Sequence, residues 1–125
     1  MTELQGVIIS HKYQIIKRIG GGRFGHVYKG INTKSNQFVA LKLEDKRTSF
    51  KMLKRETTIM NYLYEHQCRN IPCVHWYGNL TDYICVVIPY YDCSLYEYCS
   101  LKSITDNILD SMMIQCIHIL ESIHV

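Results

Sequence analysis

Residues 13–43 contain short apolar-rich segments typical of β-strands, and in one of them Val27 and Ile31 share a parity, with polar or amphipathic residues between them. Strands are predicted over residues 13–19, 26–31 and 38–43, with a turn-forming cluster at residues 32–36 between the last two. The segment before them, residues 1–12, is expected to be a tail or a loosely held strand. The pattern therefore predicts an antiparallel meander.

After residue 48 the period of the apolar residues changes to that of a helix, which is predicted over residues 49–64. The apolar positions of this helix share one broad face: Met52, Leu53, Ile59, Met60 and Leu63. Glu56 falls in the middle of that face. Burial of an unpaired carboxylate costs several kcal/mol, roughly, so Glu56 should either stay at the rim or find a cation.

Two further strands are predicted over residues 71–78 and 83–88. Pro72 stands at the beginning of the first, where its missing N–H does least harm. The second is a nearly continuous apolar run, as in buried strands. The first 88 residues thus predict five strands and one helix.

The last part of the chain predicts helices. Residues 89–93 break the strand, a short helix follows at 94–99, and a long helix is signalled over 106–125, with Ser103 and Asp106 resembling a capping box. Most of the long helix is apolar around its circumference. We therefore expect a protein partner on the apolar face of helix 106–125.

A glycine-rich segment lies between the first two strands of the meander, where Gly20, Gly22, Gly25 and Val27 fit the spacing G-x-G-x-x-G-x-V. Glycines let main-chain N–H groups approach phosphate oxygens closely. The rival interpretation, a dinucleotide fingerprint, requires a helix directly after the glycines, whereas this sequence predicts a strand.

Val39, Ala40, Leu41 and Lys42 fit a V-A-x-K pattern on the last strand of the meander. Residues two apart share a strand face, so Ala40 and Lys42 point the same way. A small residue leaves room for a base, and a lysine supplies charge to phosphates. Lys42 is also the expected partner of Glu56.

Composition limits the remaining possibilities. The chain has 125 residues, 47% of them hydrophobic, and a net charge of +3, which does not favour a nucleic-acid or membrane surface. The N-terminus has an acidic residue where a signal peptide would be basic, and the longest apolar run is far shorter than the roughly 18 residues of a membrane span. We expect an intracellular protein, cytoplasmic, nuclear or both.

Six cysteines are interpreted as reduced thiols in such a compartment. Four zinc-competent side chains cluster within ten residues: His66, Cys68, Cys73 and His75. A metal site remains open there, but a strand and its preceding loop are the favoured interpretation.

Three motifs together resemble the N-terminal part of a eukaryotic-type protein kinase, and most closely the casein kinase I family. They are I-G-x-G-x-F-G-x-V-Y at residues 19–28, V-A-L-K-L-E at 39–44, and I-P-x-V-x-W-x-G at 71–78. The spacing from Lys42 to Glu56 is also similar to that family's. The last motif is the most family-specific.

The resemblance implies an α+β fold: a kinase N-lobe of five antiparallel strands and one helix at residues 13–88, a hinge at 89–93, and the first helices of an incomplete C-lobe at 94–125. It implies serine/threonine phosphorylation of proteins with ATP and Mg²⁺. The resemblance implies adenine contacts at Ile19, Val27 and Ala40, and a cover over the phosphates formed by Gly20, Gly21, Gly22, Arg23, Phe24 and Gly25. It implies an ion pair of Lys42 with Glu56 and a gatekeeper at Ile88. The implied hinge contacts are Pro89, Tyr90 and Tyr91.

Three kinase segments are not found in these residues: the H-R-D catalytic loop, the D-F-G magnesium site and A-P-E. The catalytic base and the Mg²⁺ ligands belong to the first two. We therefore expect a truncated kinase that carries the ATP-binding roof and is inactive alone. A non-catalytic interaction module and a folding-defective fragment are the alternatives.

Overall fold

The computed structural model describes residues 4–22, 25–49, 51–101 and 105–124. Its elements are β1 (Ile8–Ile9), β2 (Tyr13–Gly22), β3 (Gly25–Asn32), β4 (Gln37–Asp45), α1 (Met52–Glu65), β5 (Trp76–Leu80), β6 (Tyr83–Pro89), α2 (Leu95–Leu101) and α3 (Asp106–Ile123). The strands form one sheet in the order β1-β2-β3-β4-β6-β5, and every neighbouring pair is antiparallel. The predicted α+β class and the antiparallel meander are confirmed.

The sheet has six strands, where five were expected. The additional strand, β1, pairs Ile8 with Gln14, and Ile9 is only 2% exposed. Of the two expectations for residues 1–12, a tail or a loosely held strand, the described part agrees with a short strand at the edge of the sheet. A strand of two residues is too short for a periodic sequence signal, and the tight turn after it uses positive φ at Ser10 and His11.

Alternation along β4 divides the sheet into two faces. Val39, Leu41 and Leu43 lie on the core face, in one cluster with buried residues of the other strands: Ile9, Tyr13, Ile15, Tyr28, Cys85 and Val87. Burial in this cluster raises the pKa of the Cys85 thiol to about 12. Ala40 and Lys42 share the opposite face, as predicted from their parity.

Helix α1 buries a narrower stripe than its sequence predicted. Leu53 and Thr57 are its buried residues, whereas Met52 and Ile59 are 42% and 52% exposed. Thr57 enters the stripe because its hydroxyl donates to the carbonyl of Leu53 at 2.8 Å, which satisfies the buried polar group.

Strand β5 begins at Trp76, although a strand over residues 71–78 was predicted. Its ladder with β6 runs from Trp76 opposite Val87 to Leu80 opposite Tyr83. The ladder cannot extend far beyond this, because β6 ends at Pro89, which has no N–H to donate.

Both C-terminal helices begin with a side-chain cap. The hydroxyl of Ser94 accepts from the N–H of Glu97 at 3.1 Å, and the Ser94 N–H donates back to the Glu97 carboxylate at 3.3 Å, which is a capping box. Helix α3 is capped by Thr105, whose hydroxyl accepts from the N–H of Ile108, and not by the predicted Ser103, which lies outside the described residues. No helix in the described part of the chain is both long and apolar enough to cross a membrane.

Candidate functional site

The glycine-rich segment forms the end of a β-hairpin. Gly20 lies opposite Val27, Gly21 opposite His26, and Gly22 opposite Gly25 across β2 and β3. Because a strand and not a helix follows the glycines, the hairpin lacks the helix N-terminus that a dinucleotide fingerprint needs. Predicted contacts at residues 23 and 24 fall outside the described part of the chain.

Gly25 holds the end of the hairpin against β4. A Cβ atom at this position would collide with the main-chain carbonyl of Leu43. At Gly20, in contrast, a Cβ atom would have the Cβ of Val27 as its nearest neighbour, at an ordinary 3.8 Å. The glycine at position 25 is therefore required by close packing of the hairpin on its neighbouring strand.

The predicted partners Lys42 and Glu56 meet in the structure. The Lys42 Nζ lies 2.8 Å from the Glu56 Oε2, and the two side chains are 42% and 40% exposed. Glu56 is thus paired at the edge of α1 and not within its buried stripe. The pair orients the ammonium of Lys42 on the sheet face that carries Ala40, but a half-exposed pair contributes only about 0.2–1 kcal/mol to stability.

A second acidic residue, Glu44, was not singled out from the sequence and is far more buried, at 3% exposure. Its Oε2 accepts from the N–H groups of Met52 and Leu53, both at 2.9 Å, while Lys51 offers no side-chain cap. Glu44 therefore joins β4 to the N-terminus of α1, where the helix dipole favours an anion. By fixing α1 against β4, it fixes the helix that carries Glu56.

The connection from β4 to α1 contains a second ion pair. The Asp45 carboxylate accepts from the Arg47 guanidinium at 2.9 Å and from the Arg47 N–H at 2.8 Å. The side-chain hydrogen bond with Arg47, followed by the main-chain one, lowers the pKa of Asp45 from 3.8 to about 2. These bonds shape the turn that leads the chain into α1.

A cavity of about 520 Å³ lies on the sheet face of Ala40, next to the start of α2. It is lined by Ile19, Ala40, Ile88, Pro89, Tyr90, Tyr91, Asp92, Cys93, Ser94 and Glu97. The first six were predicted as nucleotide contacts. Val27 and Lys42 do not line it but lie opposite each other on β3 and β4. The last four are new, although Ser94 stands in the capping box that a sequence pattern can reveal.

The family model of the protein kinase domain matches residues 13–125. The chain belongs to the protein kinase family. Its sheet, α1 and the two following helices correspond to the N-lobe and the start of the C-lobe in that family's fold. The match identifies the protein kinase family as a whole and does not distinguish casein kinase I from other protein kinases.

The cavity has the size and the wall chemistry of a small-molecule site. Its volume falls within the usual range of ligand sites, about 300–1,000 Å³, and apolar side chains form most of its wall. Pro89 has no N–H, so its main chain offers the cavity an acceptor but no donor. Lys42 lies on the same sheet face as Ala40, outside the cavity wall.

Metal-binding side chains do not cluster in the described residues, where no three His, Cys, Asp or Glu side chains come together as a metal site. The four zinc-competent side chains noted in the sequence are among these described residues: His66, Cys68, Cys73 and His75. All six cysteines are free, with Cys68 and Cys85 buried.

The hinge tyrosine Tyr90 is held by a cation–π cluster. The Lys29 ammonium lies 4.0 Å from the ring centroid of Phe38 and 4.7 Å from that of Tyr90. The two rings meet edge to face at 6.1 Å. This kinase thus fixes one cavity-lining ring from β3 and β4, through a contact that sequence periodicity does not reveal.

Proposed function

We propose that this chain is the nucleotide-binding part of an ATP-dependent serine/threonine protein kinase similar to casein kinase I. The observation that carries the proposal is the 2.8 Å pair of Lys42 and Glu56 on the sheet face that carries the cavity. In phosphoryl transfer, such a lysine neutralises phosphate oxygens, and its glutamate keeps it in position.

The proposed roles follow the geometry. Ile19 and Ala40 would sandwich adenine from the cavity wall, with Val27 beside them on β3. The hairpin of residues 20–25 would cover the phosphates with main-chain N–H groups, and Lys42 would contact the α- and β-phosphates. Mg²⁺ would supply positive charge to the phosphates when it is bound, and the family's ligands for it belong to segments that these 125 residues do not contain.

Transfer itself needs a base and metal ligands. Since the 125 residues contain neither H-R-D nor D-F-G, we expect them to bind ATP without transferring its phosphate to a protein. Transfer would then depend on those groups being supplied from outside these residues.

The casein kinase I assignment is supported by the motif at residues 71–78. A Cβ atom at Gly78 would collide with the indole of Trp76, so the tryptophan and the glycine two residues later are required together. Trp76 in turn packs against the core cluster. The motif therefore has a packing reason, while the choice of serine or threonine is inferred from the resemblance.

Nucleotide binding is tested by thermal shift with Mg-free ATP and by titration with a fluorescent ATP analogue. We expect stabilisation of the wild-type chain and its loss in Lys42→Met. The matched control is Lys17→Met, at an exposed position of β2, which should bind as wild type. Equal stabilisation of all three proteins would show that the ligand does not use Lys42, and no stabilisation of any would overturn ATP binding.

An intracellular location, cytoplasmic or nuclear, is proposed from the thiol chemistry. Six free cysteines, two of them buried, suit a reducing compartment. Fluorescence microscopy of the tagged chain in a eukaryotic cell would test this, and accumulation in the secretory pathway would contradict it.

Helix α3 favours a second candidate function, an interaction module. It has no buried residue in the described part of the chain, and several of its apolar side chains are about half exposed: Ile108, Leu109, Met113, Ile114, Ile117 and Leu120. Such a face is covered by protein in most soluble proteins. A monodisperse oligomer or complex in gel filtration that dissociates on Ile114→Glu and Ile117→Glu would support the module.

A further inference from the structure

The outer surface of α1 carries a concentration of positive charge. Residues 46–55 contain five cationic residues and no acidic one, in a chain whose net charge is +3. Three of them, Lys51, Lys54 and Arg55, line a shallow groove of about 320 Å³ together with Thr58 and Ile59. All five groove residues are exposed.

The groove lies between two rows of side chains. Lys51, Arg55 and Ile59 follow one another at intervals of four residues, and Lys54 and Thr58 form the second row. From Lys51 to Ile59 the helix rises about 12 Å. An extended peptide covers that length with about four residues, at roughly 3.3 Å each.

None of the three groove cations forms an ion pair within the described part of the chain, whose ion pairs are Lys42 with Glu56 and Arg47 with Asp45. The hydrogen bonds with Arg47 and, to a smaller extent, the charge of Lys51 lower the pKa of Asp45, so Lys51 has a carboxylate in its neighbourhood, although that carboxylate is already paired with Arg47. The Lys51 ammonium donates to the main-chain carbonyl of Lys46, which provides no counter-charge.

The position of the cations on α1 adds to this imbalance. They lie at the N-terminal end of the helix, where the dipole is positive, and the first turn has no acidic residue. Glu44 caps that terminus from the sheet side, and Asp45, which is paired with Arg47, lies near Lys51. An anion on the outer side would reduce the repulsion among the cations and complement the dipole.

We propose that this groove docks an acidic segment of a partner protein, with carboxylates over Lys51, Lys54 and Arg55 and an apolar side chain against Ile59. Single-stranded nucleic acid fits less well, because its bases stack on aromatic rings and none of the described residues that line the groove is aromatic. A membrane surface fits less well because Ile59 is the one apolar side chain among those described lining residues. The docking does not depend on nucleotide binding.

The test is fluorescence anisotropy of a labelled peptide of aspartates and glutamates around one central leucine, with the 125-residue chain and no nucleotide. The double variant K54E/R55E should weaken binding at least about tenfold at low salt, since it reverses two contacting charges. The matched control is K17E/K34E, which changes net charge equally at exposed positions outside the groove and should weaken binding less than about twofold.

Circular dichroism establishes that each variant is folded, and K54Q/R55Q provides a milder change should charge reversal disturb α1. Equal weakening by both charge-reversed variants would reduce the effect to net charge and overturn the proposal. Absence of peptide binding would do the same. Tighter groove-dependent binding of an oligonucleotide or of phosphatidylserine vesicles would assign the groove to a different class of partner.

Discussion

Replacing Glu44 with alanine removes a buried carboxylate from the N-terminus of α1. The Leu53 N–H would be left buried without an acceptor, and that of Met52 partly buried. The loss of a helix cap costs about 0.5–2 kcal/mol, and a buried unpaired donor about 1–3 kcal/mol. We therefore expect Glu44→Ala to lower the free energy of unfolding by about 2–4 kcal/mol.

The conservative variant Glu44→Gln separates the hydrogen bonds from the charge. Its amide oxygen can still accept from both N–H groups, but the attraction to the helix dipole is lost. We expect a decrease of about 1 kcal/mol. The matched control is Glu65→Ala at the exposed C-terminal end of α1, which should change stability by less than about 0.5 kcal/mol.

Stability is measured by urea unfolding, followed by circular dichroism and by the fluorescence of the single tryptophan, Trp76. Hydrogen exchange at Met52 and Leu53 should also accelerate in Glu44→Ala. One contribution opposes the predicted loss of stability. The Glu44 Oε1 is buried without a hydrogen-bond partner in the described structure, so the native carboxylate carries a desolvation cost that alanine would remove. If Glu44→Ala were as stable as Glu65→Ala, this desolvation would cancel the cap, and the reasoning would be refuted.

Three further predictions concern the hairpin, the core and the turn before α1. Gly25→Ala should lower the melting temperature and weaken ATP binding because its Cβ collides with a carbonyl, whereas Gly20→Ala should be tolerated; equal melting temperatures would contradict this. Cys85 should resist iodoacetamide at pH 8 until the chain unfolds, since burial raises its thiol pKa to about 12, and detection of modified Cys85 in the native chain by mass spectrometry would disprove this. The Asp45 pKa is lowered on folding, so its contribution to stability is present above about pH 4 and lost towards pH 2. The free energy of unfolding of Asp45→Asn should lack that part of the dependence on acid pH. A plot of stability against pH identical to that of the wild type would contradict this prediction.

The pairing of Lys42 with Glu56 could be predicted because two independent periods define it. Strand parity places Lys42 on the same face as Ala40, and helical spacing places Glu56 on the sheet-facing side of α1. The degree of burial could not be predicted in this way. It depends on the rotation of α1, which is set by Leu53 and Thr57, and a threonine does not count as apolar in a periodicity.

Other features depend on contacts that local patterns do not contain. The cap from Glu44 comes from a strand residue that precedes the helix by several positions, so no capping motif reveals it. A capping box was predicted from Ser103, but Thr105 caps α3. Serine and threonine both cap helices well, so the sequence alone does not show at which of the two positions the helix begins. Asp92 and Glu97 line the cavity because the irregular segment after β6 places the start of α2 beside the sheet, and the path of an irregular segment has no period.

The two faces of β4 differ in role: one packs in the core, and the other carries candidate site residues. Val39, Leu41 and Leu43 are enclosed in the core cluster, while Ala40 and Lys42 lie on the opposite face, where Ala40 lines the cavity and Lys42 pairs with Glu56. Substitutions that abolish ligand contacts at the second set should therefore leave the scaffold intact. A lineage carrying this strand could lose or reshape its chemistry through single-residue changes and still inherit a folded protein on which selection for another role can act.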